Sequence, residues 1–347
     1  MDVILQTDYG SGQILGVNAP YDMDLSVGGT NDFQLSLGYE EWARIPEARE
    51  EWETVGGSIA IYVPGEEYGG FVQDIEGSTS TQKIYLRGFT WRGILDKHII
   101  RPPNGNAYTV TGKLEEIVEQ LLVYAGLSHY EVVGDGSTPT VTYTFGRYVT
   151  ILEGIEKMLS ENGYKLSISY DQSQGRYEIY MGGLRYYAST EKVIVQCVPA
   201  LNYGSEIEIS QDAKMDFSNR DYRRGVNHLI CLGEGQLQNR VVVDLYADRN
   251  GNISQTQSLY GIDEIAETFE NVNADQAMLI EQGTARLKTL LNYKKFTAEA
   301  KYIDNINLGI GDTITGKDYI TGTTVTKPIK QKVVKIKNGI ATVEYKI

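Results

Sequence analysis

Three histidines, two cysteines and 46 carboxylates are the side chains from which this 347-residue chain could build an acid, a base, a nucleophile or a metal centre. The histidines are His98, His129 and His228. His228 and Cys231 stand three apart in NHLICL, an apolar run that reads as a strand. Such spacing points the two side chains to opposite faces, so they do not chelate one ion. Cys197 and Cys231 are separated by 34 positions with no CxxC, which excludes a four-cysteine zinc site and a disulfide framework. Each reads as a buried structural thiol of a protein made in a reducing cytosol. No serine lies in a GxSxG or SxxK setting, and a nucleophile needs a positioned base. With so many carboxylates, pairs at glycosidase separation arise by chance and identify no acid and base. Glu66-Glu67, Glu115-Glu116 and Asp263-Glu264 read as solvated turn or helix positions.

The glycine clusters carry no phosphate chemistry. GSGQILG at residues 10–16 has the wrong third spacing for a dinucleotide loop and is followed by VNAPYDMD where a helix should start, so it reads as a turn. GEG at 233–235 falls between NHLICL and NRVVVDL and reads as a hairpin loop or bulge, and no GKS or GKT follows any glycine cluster. Asp248, Asn250 and Asn252 around Gly251 are similar to a calcium loop. The twelfth position is Leu259 rather than glutamate and the flanks look extended, so a turn is the better reading. The expectation is a scaffold with no catalytic residue, no cofactor and no metal ligand.

The chain has 32 basic and 46 acidic side chains, a net charge of −14. That balance opposes tight, non-specific nucleic-acid binding, which depends on cations displacing counterions from phosphates. A negative wall along which DNA slides without sticking remains compatible with it. The start, MDVILQTDYG, lacks a basic n-region, and no stretch approaches the roughly 20 apolar residues of a membrane helix. Neither secretion by signal peptide nor a membrane span is expected. The 25 tyrosines suit half-buried strands and interfaces, with a sugar-stacking platform as the alternative.

The elements that must hold these residues are mostly strands. At about 150 residues per domain the length predicts two or three domains. Short period-two runs separated by Gly, Asn and Asp recur at Asp32–Leu37, Ser58–Val63, Gln82–Leu86, Tyr164–Tyr170 and Tyr177–Met181. VVKIK-NG-IATVEYKI predicts a type I′ hairpin at Asn338-Gly339, with Ile336 opposite Ala341, Val334 opposite Val343, Lys335 opposite Thr342 and Val333 opposite Glu344. Three helices interrupt this background. KLEEIVEQLLVYAG sets Leu114, Ile117, Val118, Leu121, Leu122 and Ala125 on one face, with Thr111 as N-cap and Gly126 as stop. A second follows Thr150, which with Glu153 forms a capping box; Ile151, Leu152, Ile155, Met158 and Leu159 face inward, and Asn162-Gly163 ends it. A third spans about Ala274–Leu291, with Asn273 and Gln276 as cap pair, a stripe of Ala277, Ile280, Leu287 and Leu291, and Gly283 as a weak point. The breaker Arg101-Pro102-Pro103-Asn104-Gly105-Asn106 marks the best boundary. The fold class is α+β, mainly β, divided into 1–105 (β), 106–190 (α/β) and 191–347 (β, with a helical excursion at about 260–292).

QKIYLRGFTWRGILDKHIIRPP at residues 82–103 resembles a segment of siphophage tail-hub proteins, a strand leading through a glycine and a short helix to a basic-isoleucine-isoleucine-proline exit. Asn227, Gly233, Glu234, Gly235 and Arg240 resemble that family's asparagine, GEG and arginine strand pair. NINLGIGDTITG, with Leu308, Gly311, Asp312, Thr313 and Ile314, is similar to its late glycine-aspartate strand start. Lys97-His98 departs from the family by standing where arginine is usual. The resemblance spans nearly the whole chain and implies a relative of phage baseplate hub proteins, with 1–105 and 191–347 as β-barrel-like tube modules. It further implies a homotrimeric ring at the virion tail tip of a phage or prophage, assembled in the bacterial cytoplasm. Two modules in each of three chains would match a six-fold tube above and a three-fold tip below. The implied partners are the distal tail protein, the tape-measure protein and a receptor-binding or fibre protein, with DNA passing through without specific binding. Two alternatives are a tail-associated cell-wall hydrolase and a carbohydrate-binding tail adhesin. The first is not expected, because Ile347 directly follows the hairpin strand with no further domain.

Overall fold

The computed structural model describes residues 2–7, 21–55, 59–103, 107–171, 177–181, 184–188, 192–203, 208–209, 216–222, 225–291, 293–300, 308–318, 323–337 and 339–346. The glycine turn at 10–16 and Asn338 lie outside these. The protein is mainly β, 43 % strand and 25 % helix. It divides into two units, one of Met1–Met215, Ala298–Thr315 and Thr326–Ile347, the other of Asp216–Thr297 and Gly316–Val325.

The first unit is built on a curled, half-barrel sheet. Its strands β1 (Ile4–Thr7), β2 (Asp22–Val27), β3 (Asp32–Gly38), β4 (Ile59–Tyr62), β5 (Gly69–Ser78) and β6 (Lys83–Thr90) run in the order β1-β4-β5-β6-β3-β2. The C-terminal hairpin, Gln331–Lys337 and Ile340–Lys346, has the register read from its sequence, Ile336 opposite Ala341 and Val334 opposite Val343. It extends the sheet beyond β2, pairing Met23 with Ile336 and Leu25 with Val334. All four side chains are buried, so the hairpin read as the end of the 191–347 segment shares a core with the N-terminal strands. Strand β4 departs from the half-exposed reading of its sequence: Ile59 and Ile61 enter the core beneath β2 and β3, whereas Ala60 and Tyr62 enter a second core on the other face. A strand covered on both sides needs no polar alternation.

Two short helices absent from the sequence reading, α1 (Tyr39–Ala43) and α2 (Pro46–Val55), follow β3. Pro46 is tolerated at a helix start, where its missing N–H would have no partner. Ala48 of α2 is buried in a run otherwise rich in charge, too thin a stripe to stand out in the sequence. Helix α3 (Trp91–Asp96) starts where Thr90 Oγ1 accepts from Gly93 N, and delivers Trp91 and Leu95 to the second core.

That second core is completed by β7 (Tyr108–Lys113), α4 (Leu114–Tyr124), β8 (Tyr130–Val132), β9 (Thr140–Phe145), α5 (Ile151–Glu161), β10 (Tyr164–Asp171) and β11 (Lys192–Pro199). β7 pairs with β9, and β11 lies between antiparallel β10 and parallel β8. The faces expected of α4 and α5 are buried apart from Ala125, the half-buried C-cap of α4, and Thr150 Oγ1 accepts from Glu153 N. The cap of α4 differs. Lys113 is the N-cap, its backbone N–H held by the Glu116 carboxylate, because Thr111 belongs to β7 and bonds Thr142 across the strand pair.

The second unit contains a four-stranded sheet, β12 (His228–Leu232), β13 (Val242–Ala247), β14 (Ile253–Ser254) and β15 (Ala266–Glu270), in the order β14-β13-β12-β15 with β12 and β15 parallel. Helix α6 (Gln276–Leu291) packs on β12 and β13. Asp275 supplies the side-chain cap, accepting from Met278 N, rather than the Asn273 and Gln276 pair. Its inward face is Leu279, Gly283 and Leu287, while Ala277 is exposed. Gly283 is a contact point instead of a weakness: a Cβ there would lie 2.5 Å from Cys231 Sγ and 2.7 Å from Leu245 Cδ1.

Candidate functional site

Alternation in β2, β3, β6 and the hairpin that buries one face of the first sheet sets polar residues on the other. Three grooves lie along that face. One of about 700 Å³ is lined by Asp22, Asp24, Gln34, Ser36, Lys335 and Lys337 among others, and one of about 500 Å³ by Asp24, Asp32, Asp74 and Arg87. The third, about 490 Å³, meets Asp22, Glu41, Lys83 and Lys337. Charges here answer one another. Lys83 lies 3.6 Å from Asp22, while Arg87 reaches Glu76 at 2.6 Å and Asp74 at 3.1 Å. The hydrogen bond that Arg87 donates to Glu76 is the largest influence on its guanidinium and holds it above the usual arginine range. Such a surface is polar and grooved, with Lys83 and Arg87 paired to carboxylates and Lys335 and Lys337 exposed.

Charges also penetrate the interior of this unit. Arg92, on α3, is 1 % exposed. Its guanidinium pairs with Glu67, with Glu156 of α5 at 2.7 Å and with the Leu166 carbonyl of β10 at 2.6 Å. Burial opposes its charge, but Glu67 and Glu156 outweigh that and raise its pKa. Lys332 occupies an inward position of the hairpin in line with Val334 and Ile336, 6.0 Å from the Tyr68 ring centre and 5.6 Å from that of Tyr345. Burial lowers its pKa against the attraction of Glu67 and Glu66. Asp312 is fully buried and accepts from Lys165 Nζ, Leu201 N and Gly309 N. The glycine-aspartate segment singled out in the sequence is thus a structural pin.

In the second unit, His228 Nδ1 is 2.7 Å from Glu264 and Nε2 2.9 Å from Asp244, with the ring stacked on Tyr246. Both nitrogens satisfy their acceptors when both carry a proton. The two carboxylates approach opposite edges of the ring, an arrangement for an ion pair and not for a shared metal. Among the described residues, no group of three or more His, Cys, Asp or Glu is placed to hold a metal ion.

Comparison with solved structures gives the frame for these sites. The 43 kDa tail protein of prophage MuSo2 from Shewanella oneidensis is 13 % identical, with a TM-score of 0.50 over 100 % of this chain and 98 % of that one. The chain shares the fold of that prophage tail protein. A tail protein from Neisseria meningitidis MC58 (11 % identity, 100 % and 96 % covered) and prophage tail protein gp18 from Listeria monocytogenes EGD-e (12 %, 100 % and 94 %) are also similar, both at a TM-score of 0.48. No protein-family model and no curated protein matches the chain.

Within this tail-protein fold, the residues picked from sequence are scattered. His98 Nδ1 bonds the Ile94 carbonyl and His129 packs edge-on to Phe71, far in role from His228. Cys231 points to α6, away from the carboxylates around His228, as the strand spacing requires. Burial pushes the Cys231 thiol up to about 11 and the Cys197 thiol up to about 12, with Asp244 and Glu115 adding to the respective effects. GEG forms the β12–β13 hairpin loop, with Gly233 N bonded to Val241 O and Gly235 at φ 92°. Asp248 closes its turn by accepting from Asn250 and Asn252, which holds its carboxyl below the usual range. Three carboxylates contradict the solvated reading: Glu67 pairs with Arg92, Glu264 with His228, and Glu115 is buried. Sequence reasoning missed Arg92 and Lys332 altogether. The hairpin register contained a signal for Lys332, since a face carrying Val334 and Ile336 inward must carry Lys332 with them. No described helix is long and apolar enough to cross a membrane.

Proposed function

We propose that the protein is a non-enzymatic structural hub of a phage or prophage tail tip. The observation that supports this reading is the end-to-end likeness to a prophage tail protein, which leaves almost nothing of either chain unmatched. In it, three copies close a ring that adapts a six-fold tail tube to a three-fold tip. Residues 1–105 and 191–347 supply the two tube modules and 106–190 the α/β part, the C-terminal hairpin of the second module being built into the sheet of the first. The partners are the distal tail protein, the tape-measure protein and a receptor-binding or fibre protein, assembled in the bacterial cytoplasm.

DNA passes through the ring without specific binding. The net charge of −14 suits that role, because cations are outnumbered by carboxylates that repel phosphate. Co-expression with the distal-tail and tape-measure proteins of the same phage tests the reading. A complex containing three copies of this chain per distal-tail ring is expected; failure to co-purify with either protein would overturn it.

A further inference from the structure

Phe145, Tyr108 and Tyr124 form a run of rings that begins in the core and ends in solvent. Phe145 is 2 % exposed, Tyr108 half-buried and Tyr124 49 % exposed. The centroids are 5.8 Å apart at 26° for Phe145 and Tyr108, then 6.2 Å at 29° for Tyr108 and Tyr124. The outermost ring is steadied by the backbone N–H of Arg101, which donates to its hydroxyl at 3.3 Å. Next to it, α4 presents Glu116, Glu119, Gln120 and Val123, spaced i, i+3, i+4 and i+7 along one helix face. Together with the two tyrosines they line an open groove of about 580 Å³. The opposite face of α4 already supplies Leu114, Ile117, Val118, Leu121 and Leu122 to the core, so Val123, 75 % exposed, is not spent on folding.

We propose that this groove is a carbohydrate-binding site for a neutral or N-acetylated pyranoside. The ring of Tyr124 offers a flat apolar face to the C–H side of a sugar, and Val123 a patch for an acetyl or methyl group. Glu116 already accepts from the Lys113 N–H through one oxygen; its other oxygen and those of Glu119 accept from hydroxyls. Gln120 both donates and accepts, which a hydroxyl can answer in both senses and an ammonium group in only one. That favours a sugar over a basic side chain of a partner protein. Two carboxylates repel uronic acids, sialic acids and phosphates. This site is independent of the hub reading: a tail scaffold without it, or a sugar binder outside a tail, are both physically coherent.

Saturation-transfer NMR and calorimetry on the full chain, with N,N′-diacetylchitobiose, maltotriose and trigalacturonate, followed by an array of neutral bacterial-surface glycans, test the proposal. A neutral glycan is expected to bind with a dissociation constant on the order of 1 mM, as suits one stacking platform in an open groove, and trigalacturonate is expected not to bind. Tyr124→Ala should weaken that binding about tenfold or more while Tyr124→Phe retains it. Val123→Glu, at a solvent position that leaves the core intact, should abolish it without changing the melting temperature. A blank array, binding unaffected by Tyr124→Ala, or a polylysine peptide occupying the groove where no sugar does would each overturn the proposal.

Discussion

Buried Arg92 in the first unit and buried His228 in the second each lie between two carboxylates, and the two arrangements differ in exposure. Arg92 is 1 % exposed, carries a permanent charge and joins the β4–β5 loop, α5 and β10. His228 is 9 % exposed overall, and its partners Asp244 and Glu264 have side chains 45 % and 30 % exposed. In the first cluster Glu156 also reaches solvent, at 37 %, but Glu67 is largely enclosed at 15 %, whereas both carboxylates of the second are open to water. The Arg92–Glu67 contact is therefore the more shielded from salt, and the contacts of His228 with Asp244 and Glu264 the more readily screened.

Replacing the central residue of each cluster measures this contrast. Arg92→Leu strands Glu67 and should cost the first unit about 3–5 kcal/mol in urea unfolding, with little dependence on salt. A loss below about 1 kcal/mol, the range of exposed pairs, would end the distinction. Gly283→Val drives methyl groups toward Cys231 and Leu245, and about 1–3 kcal/mol should be lost from the second unit, visible as a lowered urea midpoint with unchanged m-value. His228→Gln should cost about 1 kcal/mol or less, and the cost should shrink in about 1 M salt; a larger, salt-independent loss would place His228 with Arg92.

The smallest effect concerns the thiols. Cys231 and Cys197 have native pKa values raised to about 11 and about 12 from an ordinary 9.0. A raised pKa stabilises the fold fully below pH 9, and that contribution fades as pH rises from 9 toward 11 and 12, where the unfolded thiolates hold fewer protons than the native thiols. Alkylation at pH 8 should therefore be slow in the native protein and fast in urea. Rapid native labelling of Cys231 would show that α6 does not cover it.

Local order was legible in the sequence where neighbours along the chain decide it. The C-terminal hairpin has its predicted register because an Asn-Gly pair and apolar alternation specify it together, and α5 has the Thr150 half of its predicted capping box, the hydroxyl accepting from the Glu153 backbone N–H. What decides Arg92 is distant: Glu67 lies 25 positions before it and Glu156 64 after it, and nothing in RGFTWRGILDK separates an arginine bound for the core from one bound for water. The same holds for β4, whose two-sided burial is set by the layers that cover it. Gly283 was misread for a related reason. Helix propensity counts a glycine as a loss, whereas the close approach of Cys231 makes the missing Cβ a requirement. The aromatic groove at Tyr124 was equally hidden, since the tyrosine count does not say which of the 25 rings reach solvent.

Cryo-electron microscopy of the assembled tail tests the central claim most directly. The account predicts three copies of this chain around an axial channel at the tail tip, six tube modules in contact with the tube above, and part of the protein's negative charge facing the channel. A peripheral position, or three copies that enclose no channel, would contradict it.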